Sequence, residues 1–216
     1  MKKKQVEYIK FIYLFFITLY SGIAFGQFKP DQKIEELKDS ALLSYETGNY
    51  DRSIQYITSA LNLFAQAPND ESEGECKYIL AKNFVKTGRN KQAFEYFLRA
   101  AALLKKTNNK NLLADCRYET GKIYFDAHAY EKAISYFHKC DSLKPEEFKH
   151  YRYKTDIQML CGDAYLETGK TSDAKDCYNK TLKYAEIEGD TSMMISSVYK
   201  LIDAAFKTNE NAYALE

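Results

Sequence analysis

The sequence predicts an all-α fold, an α-α superhelix (solenoid) of stacked antiparallel helix hairpins. Helix breakers are rare, with 9 Gly and 3 Pro among 216 residues. Apolar residues recur with the 3.6-residue period of amphipathic helices. The whole pattern returns about every 40 residues, which is typical of a repeat architecture. One hairpin cannot bury its apolar face alone, so we expect neighbouring hairpins to stack and share a core.

Each repeat combines a small residue with a large apolar residue four positions later. These pairs are Ser53 and Ile57, Ala93 and Phe97, Ala133 and Phe137, and Ala174 and Tyr178, while Ala214 begins a fifth. Two further sets keep the same period: Ser44, Phe84, Tyr124, Tyr165 and Ala205, and, three residues before each, Ala41, Ala81, Gly121, Gly162 and Ile202. We expect a first helix, a tight turn and a second helix in each repeat, with the small residue of the second helix admitting the aromatic residue of the first.

Turn residues separate the two helices of each repeat. They are Thr47-Gly48-Asn49, Thr87-Gly88-Arg89-Asn90, Ala127-His128-Ala129, Thr168-Gly169-Lys170 and Thr208-Asn209-Glu210. Gly or Asn just beyond a helix end supplies the left-handed cap that stops the helix. The predicted repeats cover residues 34–73, 74–113, 114–154, 155–194 and 195–216, the last one incomplete. We therefore expect the natural protein to continue beyond residue 216, and Val198, Leu201 and Phe206 to be short of cover without that continuation.

The third and fourth repeats carry the clearest pattern. They read Gly121-x-x-Tyr124 with Ala133-x-x-x-Phe137, and Gly162-x-x-Tyr165 with Ala174-x-x-x-Tyr178, and Pro145 follows the third repeat. This pattern resembles tetratricopeptide repeat proteins over nearly all of residues 27–216. Because the period exceeds the family's usual length of about 34 residues, the chain looks like the extended variant of bacterial exported tetratricopeptide proteins and of sensor and regulator proteins. The resemblance implies a scaffold that binds a protein or peptide partner.

Residues 1–26 are predicted to be a signal peptide. A basic stretch ends near Lys10, an apolar run follows, and the small residues Ala24 and Gly26 fit a cleavage site. Cleavage would make Gln27 the mature N-terminus and place the protein in the periplasm or cell envelope. The alternative is an uncleaved anchor, but the run from Phe11 to Phe25 is shorter than the roughly 20 residues of a spanning helix. We expect no stable membrane span in the mature chain.

Chemistry-bearing motifs are scarce. The five cysteines, Cys76, Cys116, Cys140, Cys161 and Cys177, form no metal-binding spacing and are expected to be mostly buried free thiols, with one disulfide left open. His128, His138 and His150 are isolated, and residues 164–171 differ from a phosphate-binding loop in their first position. Without residues 1–26 the formal net charge falls from +1 to −2 (27 basic and 29 acidic residues), so the body of the protein has no electrostatic footprint for nucleic acid. We expect neither enzyme activity nor a cofactor or metal.

The resemblance implies that the first helices line a concave surface, along which residues one period apart form ladders. One ladder is Lys38, Tyr78, Tyr118, Met159 and Tyr199, and a second is Leu42, Lys82, Lys122, Asp163 and Asp203. We predict that Tyr78, Lys82, Tyr118, Lys122, Met159, Asp163 and Tyr199 contact a partner through aromatic rings and charges. The alternative is that these tyrosines are packing residues with hydrated hydroxyls.

Two functions fit these observations. The first is an exported scaffold that binds a protein or peptide in the cell envelope. The alternative is the sensory, ligand-binding region of a larger sensor kinase or transcription regulator. The sequence leaves the oligomeric state open.

Overall fold

The fold is described by a computed structural model for residues 29–142 and 153–213, and the signal peptide prediction, Pro145 and His150 lie outside these ranges. The described residues form nine helices and no strand. The helices are α1 (Pro30–Glu46), α2 (Tyr50–Leu63), α3 (Asp70–Lys86), α4 (Asn90–Leu104), α5 (Lys110–Asp126), α6 (Tyr130–Asp141), α7 (Lys154–Glu167), α8 (Thr171–Glu188) and α9 (Thr191–Tyr213). Helices α1 to α8 pack as four hairpins in chain order, and α9 packs on α8. The predicted all-α solenoid is confirmed.

Four tight turns close the hairpins in the same way. The turn residue lies in the left-handed region in each, as Gly48, Gly88, His128 and Gly169, with φ of 77°, 73°, 57° and 74°. The next residue donates its N–H to a carbonyl of the preceding helix, for example Arg89 to Phe84 at 2.8 Å and Ala129 to Tyr124 at 2.9 Å. These bonds satisfy carbonyls that a helix end leaves open. The turn at His128 therefore forms as predicted, although the residue there is not glycine.

The predicted fifth turn, at Thr208-Asn209-Glu210, is wrong. Helix α9 continues through these residues to Tyr213. Asn209 stands where Gly48, Gly88 and Gly169 stand in earlier repeats. The left-handed conformation has a free-energy cost for a residue other than glycine, which at His128 is offset by the packing of α5 against α6. Continuing the helix satisfies the backbone groups without that conformational cost.

The predicted direction of the hairpin packing is also corrected by the structure. The aromatic residue comes from the second helix, and the small residue that admits it lies on the first. Phe137 and Tyr178 are completely buried, and a Cβ atom added to Gly121 or Gly162 would lie 2.5 Å from Cε1 of Phe137 or Tyr178 respectively. Each ring therefore lies directly on the backbone of the facing helix, because only a residue without Cβ leaves that space.

The aromatic residues of the first helices pack both within their own hairpin and against the neighbouring hairpin. Tyr124 on α5 meets Phe94 of the preceding hairpin, with ring centroids 5.2 Å apart, and Tyr136 of its own hairpin at 5.5 Å. The Tyr165 hydroxyl on α7 lies 2.7 Å from Nε2 of His138 on α6. These contacts join successive repeats, which is how a solenoid builds one core from units that cannot fold alone.

Ser53 departs from the alanine expected at its position, and the structure gives the reason. Its Oγ donates to the Ala41 carbonyl at 2.7 Å and accepts from Nδ2 of Asn83 at 2.9 Å. Ser53 and Asn83 are completely buried. A chain of buried hydrogen bonds therefore connects the first hairpin to α3, where alanine would leave a carbonyl and an amide with fewer partners.

Helix α9 carries apolar side chains on its outer side. Ala204 and Ser197 are buried and Leu201 is half-buried, whereas the side chains on the opposite face are exposed. These exposed residues are Ile195, Val198, Tyr199, Ile202 and Phe206. The predicted exposure of Val198 and Phe206 is confirmed, while Leu201 packs against the last core cluster. Among the described residues, no helix has the length and hydropathy needed to cross a membrane.

We predict that Gly121→Ala lowers the free energy of unfolding by about 1–3 kcal/mol, because the new methyl group overlaps the Phe137 ring. In a Phe137→Val background, whose side chain ends before the positions of both Cδ1 and Cε1, the same substitution should cost much less, since the overlapping atoms are gone and alanine is the better helix former by about 1 kcal/mol. Denaturant unfolding of the four variants of this double-mutant cycle measures the difference. An equal cost in both backgrounds would contradict the packing described above.

Candidate partner-binding surface

The first helices form one wall of the solenoid, since α1 contacts α3, α5 contacts α7 and α7 contacts α9. The predicted tyrosine ladder is divided along this wall. Tyr78 and Tyr118 are only 7% and 6% exposed, whereas Tyr199 is 71% exposed. Met159 is half-buried against the last core cluster. The burial of Tyr78 and Tyr118 agrees with the alternative interpretation, in which these two rings are packing residues.

The two predicted lysines lie over these buried rings. Nζ of Lys82 is 5.9 Å from the ring centroid of Tyr78 and 5.5 Å from that of Tyr45 on α1. Nζ of Lys122 is 5.3 Å from the Tyr118 ring and 3.9 Å from the Glu119 carboxylate. A cation above an aromatic face is held by the ring quadrupole while its other side stays open to solvent. The ammonium groups are therefore positioned but not enclosed.

A third tyrosine, Tyr153, packs beside Tyr118 on this surface. The Tyr153 ring stacks on Tyr118, with centroids 4.6 Å apart and planes at 14°. Burial raises the pKa of Tyr45, and the nearby Glu119 and Tyr153 raise it further. We call the surface formed by Tyr45, Lys82, Glu119, Lys122, Tyr153 and Asp156 the tyrosine–lysine groove. Its members are linked by the contacts of the two lysines with tyrosine rings, by the effect of Glu119 and Tyr153 on the pKa of Tyr45, and by the effect of Lys122 on the pKa of Asp156.

Asp156 is the acidic residue on the α7 side of the groove. Burial raises the pKa of its carboxyl group, the positive charge of Lys122 lowers it, and the negative charges of Asp190 and Glu188 raise it again. Glu188 itself is engaged, since it accepts from Thr155 Oγ1 at 2.9 Å and pairs with Nζ of Lys154 at 3.1 Å. The half-buried Asp156 carboxylate therefore lies in a setting that disfavours its charge.

The predicted acids of the second ladder are already engaged within the fold. Asp163 accepts a hydrogen bond from the Tyr178 hydroxyl at 2.8 Å and forms a 2.8 Å ion pair with Lys200 of α9. Asp203 lies 3.9 Å from Lys207 one turn later. At the other end of the wall, Lys38 sits between Glu35 and Glu75 at 2.6 and 2.8 Å. The middle of the wall, around Lys82 and Lys122, is therefore where the predicted binding residues keep accessible charge.

Sequence reasoning missed Tyr45, Tyr153 and Asp156. Tyr45 lies one helical turn after Leu42, so the helix period alone would have placed it on the same face. Tyr153 and Asp156 lie at the start of α7, after the connection between the third and fourth hairpins. The spacing between repeats increases there from 40 to 41 residues. The ladder residues of the fourth repeat, Met159 and Asp163, lie further along α7, so the ladders do not include Tyr153 or Asp156.

The two histidines within the described residues, His128 and His138, lie at exposed positions and bond to tyrosines. Nδ1 of His128 is 2.7 Å from the Tyr130 hydroxyl, and His138 meets Tyr165 as described above. Residues 164–171 form the end of α7, a turn and the start of α8, so the resemblance to a phosphate-binding loop is accidental, as expected. Within residues 29–142 and 153–213, no group of three or more histidine, cysteine or acidic side chains is arranged to hold a metal ion.

We predict that Asp156→Asn raises the free energy of unfolding at neutral pH. Because the folded-state pKa of Asp156 is raised, its ionisation destabilises the fold as pH rises through that value. Below the unfolded pKa of about 3.9 the carboxyl is protonated in both states and the gain should vanish. Thermal unfolding between pH 3 and pH 8 measures it. The control is Asp39→Asn at an exposed position of α1; a loss of stability in Asp156→Asn at neutral pH would contradict the prediction.

Comparison with known proteins supports the fold. The family model for the tetratricopeptide repeat matches residues 114–147. A signal transduction ATPase with a tetratricopeptide repeat sensor from Pyrococcus horikoshii is similar with TM-score 0.73 and 18% identity over 83% of this chain and 28% of that chain. Aspartyl phosphate phosphatase F from Bacillus subtilis is similar with TM-score 0.72 and 18% identity over 86% of this chain and 49% of its own.

A third solved structure is built from repeats throughout. The TPR-like repeats of a putative kinesin light chain from Podosopora anserina have TM-score 0.63 and 14% identity, covering 86% of this chain and 91% of that chain. No curated protein matches the sequence. The protein thus has the tetratricopeptide-repeat fold, confirming the resemblance, and residues 114–147 carry the sequence pattern of that family.

Proposed function

We propose that this protein is a non-catalytic scaffold that binds an extended peptide segment of a protein partner in the tyrosine–lysine groove. The observation that carries the proposal is the placement of Lys82 and Lys122 above tyrosine rings on neighbouring first helices. This arrangement places lysine ammonium groups beside the flat apolar faces of tyrosine rings. Peptide-binding surfaces use the same combination to hold the side chains of a bound peptide.

The charges of the groove favour a peptide with a few acidic groups over a polyanion. Lys82 has tyrosine contacts but no carboxylate within ion-pair distance among the described residues. Lys122 keeps 41% of its side chain exposed and its pairing with Glu119 is long. Glu119 and Asp156 on the same surface would repel a continuous phosphate backbone. The groove therefore suits spaced carboxylates, with aromatic or aliphatic side chains packing on Tyr45 and Tyr153.

Export to the cell envelope is part of the same proposal. It rests on the basic and apolar segments of residues 1–26 and on the small residues before Gln27. The partner would then be a protein that is itself exported or exposed at the envelope.

We predict that Lys82→Glu combined with Lys122→Glu weakens peptide binding by about tenfold or more, since two attractive charges become repulsive. Peptides selected from a displayed random library on the wild-type protein serve as the probe, and fluorescence anisotropy measures their affinity. The matched control makes the same charge change at Lys91 and Lys183, which are exposed on second helices. Equal affinities for the groove variant and the control, with both folded by circular dichroism, would contradict the proposal.

A second measurement addresses export. We predict that the protein isolated from its native cells begins at Gln27, because cleavage follows Gly26. Intact mass spectrometry checks this, and retention of residues 1–26 would contradict it. Substituting Ala24 with a large charged residue should block cleavage and leave the full-length mass.

A further inference from the structure

Two of the five cysteines face each other in one hairpin. Cys161 on α7 and Cys177 on α8 are 2% and 5% exposed and belong to the same core cluster. The two thiols are near enough for each to shift the pKa of the other. Each cysteine directly precedes a member of the Gly162–Tyr178 contact, so in this antiparallel hairpin the two cysteines lie on the same side of that contact.

The repeat register shows that this pair is special to the fourth repeat. The positions equivalent to Cys161 and Cys177 hold Ser40 and Tyr56, Leu80 and Tyr96, and Thr120 and Tyr136 in the first three repeats. The second-helix position is thus tyrosine three times, and the fourth repeat replaces it with cysteine where the facing residue is also cysteine.

The other three cysteines are arranged differently. Cys116 and Cys140 lie on the two helices of the third hairpin, and burial dominates the raised pKa of both thiols. Cys140 Sγ is directed to backbone carbonyls, 3.6 Å from those of Ala114 and Tyr136. Burial raises the pKa of Cys76 to about 12. None of these three shows an interaction with another thiol within the described ranges.

We propose that Cys161 and Cys177 form an intrahairpin disulfide under oxidising conditions, a covalent clamp between α7 and α8 that is independent of partner binding. The pair is asymmetric, since the interaction between the two thiols lowers the pKa of Cys177 and raises that of Cys161. Lys180 also lowers the pKa of Cys177. Cys177 is therefore the more readily ionised thiol, and because it is only 5% exposed it meets the oxidant when the hairpin opens or before it closes during refolding.

The chemistry is thiol–disulfide exchange with a small-molecule disulfide such as oxidised glutathione. The Cys177 thiolate attacks one sulfur of the oxidant, the oxidant's S–S bond breaks, and one glutathione thiolate leaves. Cys161, after losing its proton, attacks the Cys177 sulfur of the mixed disulfide and expels the second glutathione thiolate. The two protein thiols lose two electrons, and the two protons they release are taken up by the two glutathione thiolates.

The test is peptide mapping of the mature protein after incubation in an oxidised glutathione buffer, both as the folded protein and during refolding from the reduced, denatured chain. Trypsin releases Cys161 in residues 155–170 and Cys177 in residues 176–180. We expect these two peptides to be joined and the remaining three cysteines to react with iodoacetamide. A reducing agent should separate the peptides and lower the midpoint of thermal unfolding.

Three variants make the outcome specific. Cys161→Ser and Cys177→Ser should each leave four alkylatable thiols, while the Cys116→Ser and Cys140→Ser double variant should still lose two thiols on oxidation. Absence of the joined peptides in both the folded and the refolding samples would overturn the proposal. Linkage of either cysteine to Cys76, Cys116 or Cys140 would overturn it equally.

Discussion

The rest of this structure depends on the close contact between a large residue of each second helix and a small residue of the facing first helix. Phe137 on Gly121 and Tyr178 on Gly162 set the distance between the two helices of a hairpin. Because the ring occupies the place of a Cβ atom, the helices approach closely and the hairpin turn must be short. The left-handed residues at positions such as Gly169 make that short turn available, since they stop one helix and redirect the chain within three residues.

This packing also determines which part of the candidate groove is accessible. Tyr118 and Tyr78 are too deep in the core to contact a partner over their faces, yet their rings position the ammonium groups of Lys122 and Lys82. A ring that is buried on one side and faces a cation on the other stabilises the hairpin and orients the charge. The groove is therefore a surface whose cations are held in place before any partner arrives, which lowers the entropic cost of binding.

Much of the fold follows from the sequence because one packing rule is repeated. The period places one completely buried large residue in each second helix, and it also places the glycine turns. The four buried residues are Ile57, Phe97, Phe137 and Tyr178. The pattern does not say which helix of a hairpin supplies the aromatic ring and which supplies the small residue. The contacts of Phe137 with Gly121 and of Tyr178 with Gly162 were therefore not predicted. It also fails at Asn209, where the left-handed conformation needs a glycine or a second helix to stabilise it. Tyr153 was missed because it follows a connection that lies outside the repeat register.

The fourth repeat shows how one core substitution changes the charge of the surface. Phe137 is replaced by Tyr178 at the equivalent position, and a buried hydroxyl requires a hydrogen-bond acceptor. Asp163 supplies it, at the ladder position where the two preceding repeats have Lys82 and Lys122. The change from lysine to aspartate along the ladder is therefore explained by the core, not by a partner. Once present, the carboxylate also pairs with Lys200 and fixes α9 to α7, so the acidic end of the wall has a structural cause.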